Sequence, residues 1–257
     1  MEFGYEAMKN HARQQEIDAL ERVKPHLSAP QNAKLVHVGA PLGRILPAER
    51  AEELLEGLYS DGTVPYTNEV RYLDGAVCAV DYLTRLTLEL MELSCSKCVL
   101  CREGLRQLHL VFEEITHGRG SLERMDYARD VAQAMSLGCD CDFGRGAGRM
   151  LALAMEDFAG EIDQHIRKKR CPALVCRPYF TVHVLADRCV GCGKCMEVCP
   201  EGAIIGKAGY VHMVDQDMCE HCGKCLAVCP QNARVKAGRI KPRTPDHLIR
   251  VGTLIRK

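Results

Sequence analysis

The sequence has no apolar run long enough to cross a membrane, no excess of either charge and no tryptophan, and aromatics make up only 5% of it. A membrane-spanning helix needs about 20 predominantly apolar residues, so a transmembrane segment is not expected. Lys+Arg and Asp+Glu both total 34, a balance that argues against nucleic acid as the main partner. Met1 to Gln15 are polar and charged, with no signal-peptide pattern. What the chain has in abundance is cysteine, 16 in 257 residues. Without an export signal this reads as a cytoplasmic, reducing setting in which thiols serve metals rather than disulfides. The formal charge counts thiolates as neutral, so a metal-loaded chain is more acidic than the sum.

The cysteines follow a doubled pattern. Cys189, Cys192, Cys195 and Cys199 precede Pro200, and Cys219, Cys222, Cys225 and Cys229 precede Pro230, a repeat at 30 residues. Three thiolates on one tight loop, with two residues between neighbours, can cap three corners of a cubane, and the fourth ligand comes from elsewhere. In two-cluster ferredoxins the last Cys of each run serves the other cluster. The expected ligand sets are therefore Cys189, Cys192, Cys195 and Cys229 for one [4Fe–4S] cluster, and Cys199, Cys219, Cys222 and Cys225 for the other. Gly191, Gly193 and Gly223 suit a backbone that approaches metal closely. Two zinc sites or a disulfide framework would not need eight cysteines in this arrangement.

Around this module the expected fold is α+β. Residues 1–30 read as a helical arm, with a helical apolar rhythm over 4–24 ended by Pro25. Residues 34–47 predict a short strand and a Gly/Pro turn, 48–58 a helix, 60–68 a polar loop and 70–80 a strand. The period then becomes helical. Leu83, Leu86, Leu90 and Leu93 form one stripe, and Leu105, Leu108, Phe112 and Ile115 a second. Ser121 caps a third helix carrying Leu122, Met125 and Ala132. A fourth helix carries Leu151, Met155, Phe158 and Ile162. Residues 80–168 thus predict a four-helix bundle, 169–177 a Cys-containing hinge, 178–238 the βαβ-type two-cluster module, and 239–257 a basic tail.

A third cysteine group lies between the first two predicted helices. Cys95, Cys98 and Cys101 again have two residues between neighbours. The gap of two, not three, sets aside a radical S-adenosylmethionine site. No fourth Cys follows locally, and Cys139 and Cys141 are the candidates, in the turn between the third and fourth helices.

These residues carry a resemblance. Ser94-Cys95-Ser96-Lys97-Cys98-Val99-Leu100-Cys101-Arg102-Glu103-Gly104, followed some forty residues later by Cys141-Asp142-Phe143-Gly144, resembles the iron–sulfur domain of the NADH-binding subunit of respiratory complex I and its equivalents in NAD-linked hydrogenases and formate dehydrogenases. The resemblance implies a bundle holding one [4Fe–4S] cluster that takes electrons from FMN, with Cys95, Cys98, Cys101 and Cys141 as ligands. Val36 to Gly43 resembles the ubiquitin-like (SLBB-type) domain that precedes such a bundle, here residues 31–79, and Ala76 to Asp81 resembles its strand entering the first helix. Arg170 to Cys176 followed by a two-cluster ferredoxin is similar to the C-terminus of the beta subunit of electron-bifurcating hydrogenases.

The family's flavin- and NADH-binding half has no counterpart in these residues, so no FMN or NAD site is expected. Gly144-Arg145-Gly146-Ala147-Gly148-Arg149 superficially echoes a flavin loop but reads as a turn and helix start, with a phosphate at that helix N-terminus as the alternative. Of the remaining cysteines, Cys78 reads as a small buried hydrophobe. Cys139, His165, Cys171 and Cys176 form a candidate Cys3His zinc set, with free thiols or a [2Fe–2S] cluster as alternatives. His37, His109, His183, His212 and His221 show no constellation, and no general acid or nucleophile is visible. The expected function is one-electron relay through three [4Fe–4S] clusters, tuned by neighbours such as Ser94, Lys97 and Lys194. The expected partners are a subunit bearing flavin or an active site, and ferredoxin or another redox protein. A free-standing polyferredoxin carrier and an NADH dehydrogenase with an unrecognised flavin site are the alternatives.

Overall fold

The computed structural model describes residues 32–50, 67 and 69–253. The helical arm and most of the segments expected at 48–58 and 60–68 lie outside the described residues. The chain divides into two compact units, Met1–Lys168 and Lys169–Lys257.

In the first unit, β1 (Ala33–Val38) is the middle strand of an antiparallel sheet ordered β2-β1-β3, with β2 Arg44–Pro47 and β3 Val70–Asp74. The strand and turn expected at 34–47 are thus two strands joined by residues 39–43. At Gly43 (φ +99°) any side chain would collide with the Val38 carbonyl, so only glycine closes this turn. The segment 70–80 is strand only to Asp74. Cys78 is the N-cap of α1 (Ala79–Leu93), so the segment expected to enter the helix as a strand is a turn and a helix start.

Four further helices follow: α2 Val99–Thr116, α3 Leu122–Gly138, α4 Asp142–Asp157 and α5 Ala159–Ile166. The single fourth helix expected from the apolar stripe is two. Phe158 leaves the helical conformation (φ −102°, ψ 17°), although Phe158 and Ile162 both remain buried. Helix starts and ends follow their sequence signals elsewhere. The Ser121 hydroxyl accepts the Arg124 N–H at 3.2 Å, a side-chain cap for α3. The core is built from Leu83, Leu86, Leu90, Leu105, Leu108, Phe112 and Ile115, all essentially inaccessible; Leu93 faces out. The Gly-rich stretch 144–149 lies wholly inside α4. A Cβ on Gly148 would stand 2.6 Å from Met135 Cβ and 2.7 Å from the Ala132 carbonyl oxygen. Glycine here lets α4 press against α3 and does not form a loop.

Ion pairs tie sheet to helices within this unit. Arg44 and Arg50 both meet Asp157 at 2.7 Å, the former pair nearly inaccessible. Lys34 meets Glu161 at 2.8 Å, and Glu161 also accepts the Ala79 N–H that opens α1.

The second unit contains β4 (Thr181–Val184), α6 (Lys194–Glu197), β5 (Ile204–Ile205), β6 (Met213–Val214), α7 (Lys224–Ala227) and β7 (Arg234–Ala237). Its strands form two antiparallel pairs, β4 with β7 and β5 with β6. Each half is a strand, a cysteine loop, a one-turn helix and a strand. The tail is not wholly free to dock elsewhere. The Val211 N–H bonds the Ile249 carbonyl and the Val251 N–H bonds the Gly209 carbonyl, and Ile249 and Val251 pack against the cluster of Val184, Ala186 and Val211.

Candidate iron–sulfur sites

The bundle site is made where helix ends meet. Cys95 lies in the α1–α2 connection, Cys98 caps α2 and Cys101 sits in its first turn. Cys139 ends α3, and Cys141 caps α4. The connection is held in shape locally. The Ser94 hydroxyl accepts the Ser96 N–H at 3.2 Å and lies 3.6 Å from the Cys101 sulfur, while Arg102 donates to the Ser96 carbonyl at 3.0 Å. Ser94, expected from sequence to act as a tuner, therefore touches the thiol of Cys101, one of the expected ligands.

The five thiols are not equivalent. Backbone N–H groups of Asp140 and Cys101 donate to the Cys98 sulfur and pull its pKa down. Burial pushes the Cys101 thiol up, with the Ser94 hydrogen bond opposing and the charges of Cys141, Cys98 and Cys95 adding. Burial, then the charges of Cys98 and Cys101, push Cys139 up to about 12, and its thiol donates to Cys98. Cys139 thus stands with the bundle thiols as a protonated, buried donor, while Cys141 is exposed at the same helix junction. A Cβ on Gly144 would fall 2.8 Å from the Cys139 sulfur, so glycine makes room for this thiol.

Cys139 is accordingly not the partner of His165. That place belongs to Cys78, whose sulfur lies 3.3 Å from His165 Nε2, both side chains fully buried. His165 Nδ1 is 2.8 Å from the Glu161 carbonyl, so Nδ1 carries the proton and the Nε2 lone pair faces Cys78. Cys78 reads as a bystander in sequence because nothing in its apolar neighbourhood marks it; His165 is 87 residues away. In the second unit Cys171 and Cys176 are both buried. The other histidines are also placed. His37 bridges the Tyr82 hydroxyl (2.6 Å) and the Leu42 carbonyl (3.1 Å), and His109 sits between Thr84 and Thr87.

In the second unit the structure gathers the cysteines into two cradles. One is lined by Cys189, Cys192, Cys195 and Cys229. The other is lined by Cys199, Cys219, Cys222 and Cys225. Each run lends its last cysteine to the opposite cradle. Gly193 and Gly223, both with φ near +80°, start the one-turn helices that carry Cys195 and Cys225. Donors already point at sulfur. The Ala233 N–H meets Cys229 at 3.2 Å, and Arg234 Nη2 meets Cys195 at 3.1 Å. Arg234 Nη1 and His212 Nε2, on residues lining the first cradle, are buried with no hydrogen-bond partner among the described residues. Four thiols with orphaned N–H donors around them suit an anionic, sulfide-rich cluster, which accepts such bonds.

Comparison with known proteins agrees with this division. Residues 81–165 match the NADH-ubiquinone oxidoreductase-F iron-sulfur binding region, and residues 182–236 match the 4Fe-4S dicluster domain. The HndC subunit of the NADP-reducing hydrogenase of Solidesulfovibrio fructosivorans is 27% identical over 70% of this chain and 37% of its own length. The F subunit of the NADH-quinone oxidoreductase of Streptomyces coelicolor is 30% identical over 46% of this chain and 26% of its own. The F 2 subunit of the Rhizobium meliloti enzyme is 29% identical over 61% of this chain and 38% of its own. The chain spans little more than a third of these relatives at most. No described helix is long and apolar enough to cross a membrane. This chain is a relative of the F subunits of NADH-quinone oxidoreductases and of the hydrogenase protein HndC, joining their iron–sulfur binding region to a 4Fe-4S dicluster domain.

Proposed function

We propose that the chain is the iron–sulfur relay of a multi-subunit, flavin-containing oxidoreductase of the NAD-linked or electron-bifurcating kind. It would carry single electrons between a partner bearing flavin or an active site and ferredoxin or another redox subunit. The observation that carries this reading is the grouping of twelve cysteines, Cys95, Cys98, Cys101 and Cys141 at one helix junction and two sets of four in the dicluster domain. A [4Fe–4S] cluster held by each set supplies one-electron transfer. The chain's own residues hold the thiolates, donate hydrogen bonds to them and limit water around them. The helical setting of Gly144–Gly148, with Gly148 packed on Met135 and Gly144 on Cys139, supports relay over flavin chemistry in these residues. The domain boundaries we propose follow the sequence expectation, with 169–177 joined to the dicluster unit.

We further propose one zinc at the cysteines and histidine outside the twelve, with Cys78, beside His165 in the first unit, taking the place expected for Cys139. The supporting observation is the Cys78–His165 pair with Nδ1 tied to a carbonyl, the outer-shell arrangement common to metal-ligating histidine.

The deciding experiment is anaerobic affinity purification from native cells, with iron, zinc and flavin quantified. Flavin arriving on a second polypeptide, with about twelve iron per copy of this chain, is the expected result. Recovery of the chain alone with iron and no flavin would mean a diffusible carrier and would sink the complex reading.

A further inference from the structure

The two cradles of the dicluster domain are related by the 30-residue repeat, and their linings correspond position by position. Cys195 pairs with Cys225, Lys194 with Lys224, Ala203 with Ala233 and Val184 with Val214. Against that symmetry the exceptions stand out. Where the second cradle has Ile204 the first has Arg234, and where the second has Val182 the first has His212. Where the second has Glu201 and Glu220 the first has Gln231 and Val190.

We propose that Arg234 makes the site of Cys189, Cys192, Cys195 and Cys229 the more easily reduced of the two, so that an electron supplied to this domain by a one-electron partner rests there. This builds on the relay reading above and adds an order of filling to it. Three features support it. Arg234 is only 5% exposed, its guanidinium is permanently charged, and its Nη2 bonds directly to the Cys195 sulfur at 3.1 Å. Adding an electron makes a thiolate-held cluster more negative, and net charge and hydrogen bonds to sulfur are what set its potential. A cation fixed in a water-poor place acts more strongly than one in solvent.

The competing effects do not cancel it. Burial does not separate the sites, since Cys195 and Cys225 are both 8% exposed. The lysines are matched. The histidines do not oppose it: His212 lines the first cradle, whereas His183 and His221 line neither. The exposed carboxylates of Glu201 and Glu220 are screened, but they act in the same direction by disfavouring the electron at the second site. Arg234 also reaches Cys225, as a charge without a hydrogen bond, so the second site feels it more weakly.

The test is an anaerobic redox titration of the full chain, read by electron paramagnetic resonance, with iron counted in every variant. The wave that Cys98→Ala removes belongs to the bundle and is set aside. Of the two remaining, Arg234→Ile should lower the higher one, making its reduction at least tenfold less favourable, about 59 mV for one electron. The lower one should move less. Ile204→Arg should raise the lower wave and narrow the gap. If Arg234→Ile moves neither wave, or mainly the lower one, with iron retained, the inference is wrong. If that variant loses iron, the surface pair Glu201→Gln and Glu220→Val decides instead. Raising the lower wave supports the inference, and leaving it unmoved or raising the higher one overturns it. A wild-type chain whose dicluster domain holds no iron would instead overturn the relay reading on which this rests.

Discussion

His37 should make the first unit acid-sensitive. It is fully buried, donates Nε2–H to the Leu42 carbonyl, and accepts the Tyr82 hydroxyl at Nδ1. Burial lowers its pKa from 6.5 to about 4, with the charge of Arg71 acting in the same direction and the Leu42 bond opposing. The folded protein therefore keeps this imidazole neutral while the unfolded chain takes up a proton near pH 6.5. Stability from this group is full above pH 6.5 and is lost as pH falls toward about 4. The loss is about 1.4 kcal/mol per pH unit, so about 1.4 kcal/mol between pH 7.5 and 5.5 and about 3 kcal/mol by pH 4. Hydrogen–deuterium exchange of the peptide spanning residues 33–47, at pH 7.5 and 5.5 in the iron-loaded protein, reads the opening of this sheet. His37→Gln should be less stable at pH 7.5, because it disturbs two buried hydrogen bonds. Its deficit should shrink by about 1.4 kcal/mol at pH 5.5. Parallel losses in wild type and variant would show that His37 does not titrate as its burial requires.

Cys141→Ala should lower iron from about twelve to about eight per chain, one four-iron cluster, whereas Cys139→Ala should retain it; iron analysis separates them, and the reverse result would make Cys139 the ligand. Cys78→Ser should abolish zinc measured by mass spectrometry, and Cys139→Ser should not. Gly148→Leu, forced against Met135 and the Ala132 carbonyl, should cost about 1–3 kcal/mol, seen as an earlier thermal transition of the helices.

The parts of this protein legible in sequence are those governed by neighbours in the chain. Cysteine spacing groups Cys95, Cys98 and Cys101 at one helix start and lays out the doubled run, and Ser121 announces a helix. What escapes is governed by distance or by continuity. The stripe of Leu151, Met155, Phe158 and Ile162 stays buried across the break at Phe158, so periodicity does not register the break. Gly144 to Gly148 resembles a loop because small residues that let helices approach look like those that let chains turn. Cys139 suggests itself for His165 because both lie near bundle ends, but that placement says nothing about which neighbour a thiol meets. Arg234 can be found by laying the repeat on itself, where Ile204 faces an arginine.

The exchange of Cys199 and Cys229 between cradles also binds the halves of the second unit into one object. Under the ligand sets proposed above, neither repeat holds a full set, so neither could mature before the other had been synthesised. A ribosome that had released only the first run would have made an incomplete receptacle, and iron–sulfur insertion would wait for the second. Damage to a single terminal cysteine in one half would then be felt in the other, leaving the domain intolerant of being split, shuffled or repaired piecemeal.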